Sequence, residues 1–398
     1  MQILVLSPFV PHPEILHAGG QHLYRLIHDV SPRHELHLLA YGRDESPEQI
    51  AAINALCGSV KIVTPAYTWG QKVEQVRQGG WRHPHTIGRR THFEMRQAIR
   101  QICEYAKIDV AHLAWTEMAR YLEVIPPQIG TVVNLLDIEA RVRPRELALY
   151  PLGITKFQAM RRAHTLIHLE QVAIRQATHL VVCSEADRAW LADKLDPSHV
   201  SIAPVWSNLE FNPLPVENIM AGRLVFFGAM DRIANRVAAE FLIYEVFPLV
   251  VAEYPKATLR IVGANPPVRL TRQYARHPQI TLTGYVRNVA AEWATADVAV
   301  LPSLIGGGQV TKIMQAMAAG RPVVTSPFGN EGIGAPDGIA VELGVNASDF
   351  ANAVLRLLRD RLHWSNIANG GREFVRQHFD WQTSVRIFEA AYQAALST

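Results

Sequence analysis

Cysteine is nearly missing from this chain. Cys57, Cys103 and Cys183 are the only three in 398 residues. Odd in number and far apart, they exclude a disulfide framework and a thiolate zinc site, and they point to a reducing compartment. Net charge is also small: 39 Lys and Arg against 36 Asp and Glu leave +3. That is too little to argue for a nucleic-acid partner, and none is expected. No run of roughly 18 apolar residues occurs, so no transmembrane helix is expected. The chain enters a strand-like run at once, with no basic region or cleavage pattern ahead of it, so no secretory leader is expected. A cytoplasmic protein is the simplest expectation. A peripheral contact at the inner face of the cytoplasmic membrane stays open.

What is present reads as α/β. Hydrophobic residues make 48% and charged residues 19%, the balance of a soluble globular protein. The length exceeds one typical core, so two domains are expected. Residues 2–7 (QILVLS) read as a strand. Gly19 and Gly20 then lead into a helix with Leu23, Leu26 and Ile27 on its apolar side. Residues 34–40 read as the next strand, which begins a doubly wound parallel sheet. Strands at 110–113, 131–136 and 179–183 continue it. A long helical pattern covers 157–178, with Glu170 inside an apolar run. The stretch 204–215 is the best linker, rich in Pro and Asn. A second series follows, with strands at 224–227, 257–262, 280–283 and 298–301 and helices at 236–254 and around 289–296. These strands end at Gly228, Gly263, Gly284 and Gly306. Ligands sit at the carboxyl ends of such strands, so this half is a plausible nucleotide cradle.

The stretch 301–334 is the most informative. Gly306, Gly307 and Gly308 open a helix whose stripe is Val310, Ile313, Met314 and Met317. Gly320 and Pro322 end it. Gly308, Lys312 and Gln315 fall on the other face. Free N–H groups at a helix start, glycines that admit an anion and a lysine one turn in can together hold a phosphate. An ordinary strand-to-helix loop accounts for the pattern as well. Gly19-Gly20 has the same two readings, ligand approach or a loop that needs supple backbone. Asp137, just past a strand, suits polar contact or acid/base work, and equally a helix N-cap. Ser184 and Asp187 read as caps. Two segments are basic. Lys72, Arg77, Arg82, Arg89, Arg90, Arg96 and Arg100 outnumber Glu74 and Glu94, a local +5. Arg141, Arg143, Arg145, Lys156, Arg161 and Arg162 face only Glu146, again +5. They form either a surface for an anionic acceptor or lipid, or a solvated face with local salt bridges; the second is the more ordinary reading.

Taken in order, these motifs resemble a family 4 glycosyltransferase of the GT-B fold. The carrying runs are FFGAMD (226–231) with Asn235, IVGANP (261–266), LTGYV (282–286), GGGQVTKIMQAMAAGRPVV (306–324) and GNEGI (329–333). ILVLSPFVPHP with Gly19-Gly20, LLDIEA around Asp137, VCSEADRAWL and the terminal FDWQTSVRIFEAAY are similar in the rest. The resemblance implies two Rossmann-like domains facing across a cleft: 1–207 for the acceptor and 208–379 for the donor, with the terminal helix 380–398 packing back on the first. It implies retaining transfer from a nucleotide-diphosphate sugar to a glycan, lipid-linked or glycoconjugate acceptor, as in polysaccharide biosynthesis, with no metal and no cofactor beyond that substrate. Lys312 and the Gly306–Gly308 backbone would stabilise the leaving diphosphate, with Asp231 and Arg232 near that place. Gly284, Tyr285 and Val286 would hold the base. Gly228, Asn235, Gly263, Val310 and Thr311 would line the donor. Glu331, with Gly332, would touch the pyrophosphate or sugar, and Asp137 would stand near the reacting centre. The family commonly carries two glutamates here; Gly307 and Gln315 take their places. Gln315 keeps an acceptor oxygen but loses the charge, worth roughly 1–3 kcal/mol. A non-catalytic scaffold that binds a nucleotide, a glycan or a partner protein is therefore the second hypothesis.

Overall fold

The computed structural model describes residues 1–15, 17–64, 89–205, 214–305 and 307–396. The chain divides into two compact units. Unit 1 is 1–141, 154–206 and 381–398; unit 2 is 142–153 and 207–380. The segment 142–153, expected within the first domain, groups instead with the second.

Unit 1 is built on β1 (Gln2–Ser7), β2 (Glu35–Tyr41), β3 (Ser59–Val63), β4 (Val110–Ala114), β5 (Gly130–Leu135), β6 (His179–Val182) and β7 (Val200–Ile202). They form one sheet in the order β3-β2-β1-β4-β5-β6-β7, and every pairing is parallel. Parallel strands are covered on both faces, so their sequences are apolar throughout rather than alternating. Ile3, Leu4 and Leu6 of β1 are all fully buried. One face packs on the helix Arg89–Tyr105 through Met95, Ile99 and Ile102. The other packs on the helix Ala18–Val30 and on the terminal helix Trp381–Leu396 through Val385, Phe388 and Tyr392. The chain thus returns to unit 1 after completing unit 2. Gly130 permits the approach: a Cβ there would lie 2.1 Å from the Ala395 carbonyl oxygen.

Unit 2 is built on β8 (Arg223–Phe227), β9 (Thr258–Val262), β10 (Ile280–Gly284), β11 (Val298–Leu301), β12 (Val323–Thr325) and β13 (Glu342–Leu343). The order is β10-β9-β8-β11-β12-β13, again all parallel. Arg321 is buried and donates to the carbonyls of Trp293, Ala294 and Pro215. It thereby satisfies the carbonyls that end the helix Val289–Thr295.

Two helices differ from the sequence reading. The 236–254 pattern is three pieces: Ile233–Phe241, a π-helical segment Leu242–Val246, and Phe247–Glu253. Pro248 lacks the N–H that a continuous helix needs, so the ladder shifts just before it. The 157–178 pattern starts earlier, at Ile154, and ends at Gln176. The linker is described only at its two ends. Most of the first basic segment, through residue 88, lies outside the described residues, as do the side chains of Arg89 and Arg90. Among the described residues no helix is long and apolar enough to cross a membrane.

Candidate functional site

In a doubly wound sheet the chain leaves two adjacent strands in opposite directions, and the gap at their carboxyl ends is the place for a ligand. In unit 2 those strands are β8 and β11. Backbone comes close there. The Gly228 N–H donates to Val262 at 2.9 Å and the Met230 N–H to Ala264 at 2.8 Å. A Cβ on Gly263 would stand 2.0 Å from the Gly228 oxygen, and one on Gly228 would stand 2.7 Å from Asn235 Cγ. Asn235 is fixed by its Nδ2, which donates to the Ala229 carbonyl at 2.9 Å. Its Oδ1 accepts from Lys312 Nζ at 3.2 Å. The same ammonium lies 4.4 Å from the centre of the Phe226 ring.

Lys312 is thus a cation drawn in from water. Burial, and then the nearby Arg232 guanidinium, push its pKa down to about 7. Among the described residues no carboxylate pairs with it. Two like charges brought together without a counter-ion raise the energy of the empty site. An anion of two charges or more reverses that cost. Arg232 is thus a second cation near Lys312; it and Asp231 beside it are both exposed.

The glycine run supports the same corner. Gly306 lies outside the described residues. Gly307 and Gly308 have φ of 115° and 57°, a backbone that favours glycine. A Cβ on Gly332 would stand 1.9 Å from the Gly308 oxygen, so the 331–333 turn backs directly onto this loop. The helix that follows is Thr311–Ala318, with Val310 at its N-cap and no side-chain cap. Its first N–H groups are not claimed by a capping side chain. Val310, Thr311 and Gln315 are half-buried on this element, and Gln315 lies three residues after Lys312, on the same helix face. The Gly263 N–H donates to Gly284 at 3.1 Å, which sets the 284–286 turn beside the same edge. There Gly284 has φ 71°, Tyr285 is exposed and Val286 half-buried.

Glu331 follows the short helix Pro327–Asn330. Its carboxylate is held by Arg145, at 2.7 Å and 3.4 Å through the two guanidinium nitrogens. Arg145 also lies 4.8 Å over the Phe328 ring. Sequence placed Arg145 only in a basic cluster. Its partner is 186 residues away, beyond any local signal. Two neighbours in that cluster are paired as well: Arg141 with Asp187 at 2.7 Å and Arg143 with Glu146 at 2.5 Å. Of the three, only Arg143 makes the local salt bridge expected; Arg141 is buried and its partner, like that of Arg145, lies far along the chain.

Unit 1 places its own candidates at the carboxyl ends of β1, β4 and β5. Asp137 follows β5 and is half-buried. The helix Glu139–Ala148 begins after it, and the N–H groups of Glu139 and Ala140 go to Glu170. Burial raises the Glu170 pKa to about 7, against these two hydrogen bonds. So a carboxylate from a distant helix holds that helix start, which the apolar run around Glu170 did not suggest. Ser184 is the N-cap, its Oγ accepting from the Asp187 N–H, while the Asp187 carboxylate accepts from the Ser184 hydroxyl and from Arg141. Gly19 and Gly20 lie in the first turn of their helix. A Cβ on Gly19 would stand 2.3 Å from the Trp115 ring, and one on Gly20 2.4 Å from Ile15 Cδ1, so close packing already uses both. Trp115 itself was not anticipated. It follows β4 with φ of 74°, a strained conformation for an aromatic residue, and packs edge-on to Phe9 at 4.8 Å.

Comparison with known proteins adds to this geometry. Residues 221–360 match the family model described as glycosyl transferases group 1. Over 195 residues the chain is 24% identical to an exopolysaccharide phosphotransferase of Streptomyces coelicolor, covering 46% of this chain. The chain spans only 20% of that relative's length. Among solved structures, sucrose-phosphate synthase from Thermosynechococcus elongatus superposes with TM-score 0.72 at 16% identity over 100% of both chains. Anabaena HepE in complex with UDP and glucose gives 0.66 at 16% identity over 99% of both. Staphylococcus aureus TarM, a mutant in complex with UDP, fondaparinux and alpha-GlcNAc-glycerol, gives 0.67 at 10% identity over 98% of this chain and 100% of that one. At such identities the likeness is one of fold. The fold is GT-B, and the stretch that matches the glycosyl transferases group 1 model lies within unit 2.

Proposed function

We propose that this chain is a glycosyltransferase of family 4, which moves a sugar from a nucleotide-diphosphate donor to a glycan, lipid-linked or glycoconjugate acceptor. The transfer retains the anomeric configuration and needs neither a metal ion nor a cofactor. The observation that carries this reading is Lys312 at the β8/β11 switch point, drawn in from water with the Arg232 guanidinium nearby and, among the described residues, no carboxylate paired with it. A diphosphate leaving group gains negative charge as the sugar departs. Positive groups fixed in advance lower that barrier, typically by about 3–4 kcal/mol for each good donor. Lys312 and Arg232 are those groups, with the N–H groups of the glycine loop beside them. The 284–286 turn holds the base, and Gln315 accepts from a donor hydroxyl. The Glu331 turn contacts the sugar or pyrophosphate, its carboxylate held in place by Arg145. Unit 1 takes the acceptor, with Asp137 as its polar contribution near the reacting centre. The UDP in the HepE and TarM complexes and the exopolysaccharide relative support a nucleotide-sugar donor and a role in polysaccharide biosynthesis.

Gln315 favours a second reading, a scaffold that binds a nucleotide, a glycan or a partner protein without turnover, because the carboxylate usual at its place is absent. The deciding experiment is release of nucleoside diphosphate from a panel of UDP-, GDP-, dTDP- and ADP-sugars. Turnover that falls about 100-fold or more in Lys312→Ala supports transfer. No turnover from any donor, with nucleotide still bound, supports the scaffold.

A further inference from the structure

The helix Ile154–Gln176 buries Ala163, Leu166, Leu169, Glu170 and Ala173. None of its residues 154–162 is fully buried, yet this tip carries large apolar side chains. Ile154 is 74% exposed, Phe157 61% and Met160 50%. Ile154 and Phe157 are three residues apart, as are Phe157 and Met160, so they are neighbours on one face. Lys156 lies four residues before Met160, and Arg161 four after Phe157, at the edges of the same patch. At 100° per residue the buried set falls on the opposite side. No Asp or Glu occurs from residue 147 to 169, and the helix has no acidic residue in its first turn, where one is normally favoured. A solvated helix tip would mix Lys with Glu and leave at most single apolar residues exposed.

We propose that this tip docks on a bilayer that bears anionic lipids. Ile154, Phe157 and Met160 enter the boundary between head groups and acyl chains, while Lys156 and Arg161 meet lipid phosphates. Charge decides between this occupant and a second copy of the chain. A two-fold pairing of the patch with itself would set Lys156 and Arg161 against their own equivalents. The inference does not rest on the reaction proposed above.

The test is sedimentation of the full chain with vesicles of phosphatidylcholine alone, or with about one-third phosphatidylglycerol added. Binding is expected only to the mixed vesicles, and high salt should weaken it by about tenfold. Phe157→Asp, the milder Phe157→Ser and Arg161→Glu should each lower mixed-vesicle affinity by about fivefold to tenfold. Their thermal unfolding and UDP titrations should match those of the wild type, which separates this result from the fate of the donor site. Wild type that stays in the supernatant, or variants that bind as well as wild type, would overturn the proposal. So would a wild-type dimer that Phe157→Asp converts to monomer.

Discussion

Lys312 lies by the Phe226 ring and the Asn235 amide, and burial, then the nearby Arg232 guanidinium, bring its pKa down to about 7. A bound diphosphate reverses the balance and raises its pKa. The sign follows. With a free-state pKa of about 7, the empty site sheds its proton as pH rises above that value, whereas the complex keeps it. Nucleotide affinity should therefore fall as pH climbs from 7 to 8.5, by up to about tenfold per unit. Calorimetry in two buffers of different ionisation heat should report proton uptake. Lys312→Arg, which stays charged, should bind without that slope. Gly332→Ala tests the backbone beside it. The added Cβ would meet the Gly308 oxygen at 1.9 Å, so denaturant unfolding should show a loss of about 1–3 kcal/mol together with weaker nucleotide binding. Lys312 and its glycines were legible in sequence because their signal is local, a loop, a helix start and a face. Which of Asp231 and Arg232 acts on Lys312 was not, because that depends on how β8 and β11 lie side by side.

Helix ends show the same division. The caps at Ser46, Asn346 and Asp360 satisfy nearby N–H groups within their own turns, and such motifs are readable. The start of the helix Glu139–Ala148 depends on Glu170, and the Glu331 turn on Arg145; both partners come from far along the chain. Arg145 and Glu331 are each about one-quarter to one-third exposed, so water screens the pair. A double-mutant cycle on Arg145→Ala and Glu331→Ala should give a coupling of about 0.5–1 kcal/mol in unfolding. Both single variants should lose more in turnover than in stability, since each frees the turn that abuts the glycine loop.

At the scale of the whole molecule, the order of strand and helix runs was enough to expect two doubly wound sheets. The grouping of 142–153 with unit 2 was not readable, because nothing in its composition marks it. The returning helix Trp381–Leu396 closes unit 1, and its Tyr392 hydroxyl bonds His112 Nδ1 at 2.8 Å. Burial holds His112 down to about 3 and His22 to about 4, both from 6.5. Unfolded histidines bind protons below pH 6.5 that the folded ones refuse, so stability should fall by a few kcal/mol between pH 6.5 and 4. Phe388 is fully buried beside them. Phe388→Ala should cost about 3–5 kcal/mol in the unfolding of unit 1, while nucleotide binding by the still-folded protein is kept. The diphosphate site of unit 2 is decided by isothermal titration of UDP, GDP, dTDP and ADP into the full chain. At least one of them should bind to the wild type and lose about 100-fold or more in affinity with Lys312→Ala. Equal affinity in wild type and variant would contradict the account.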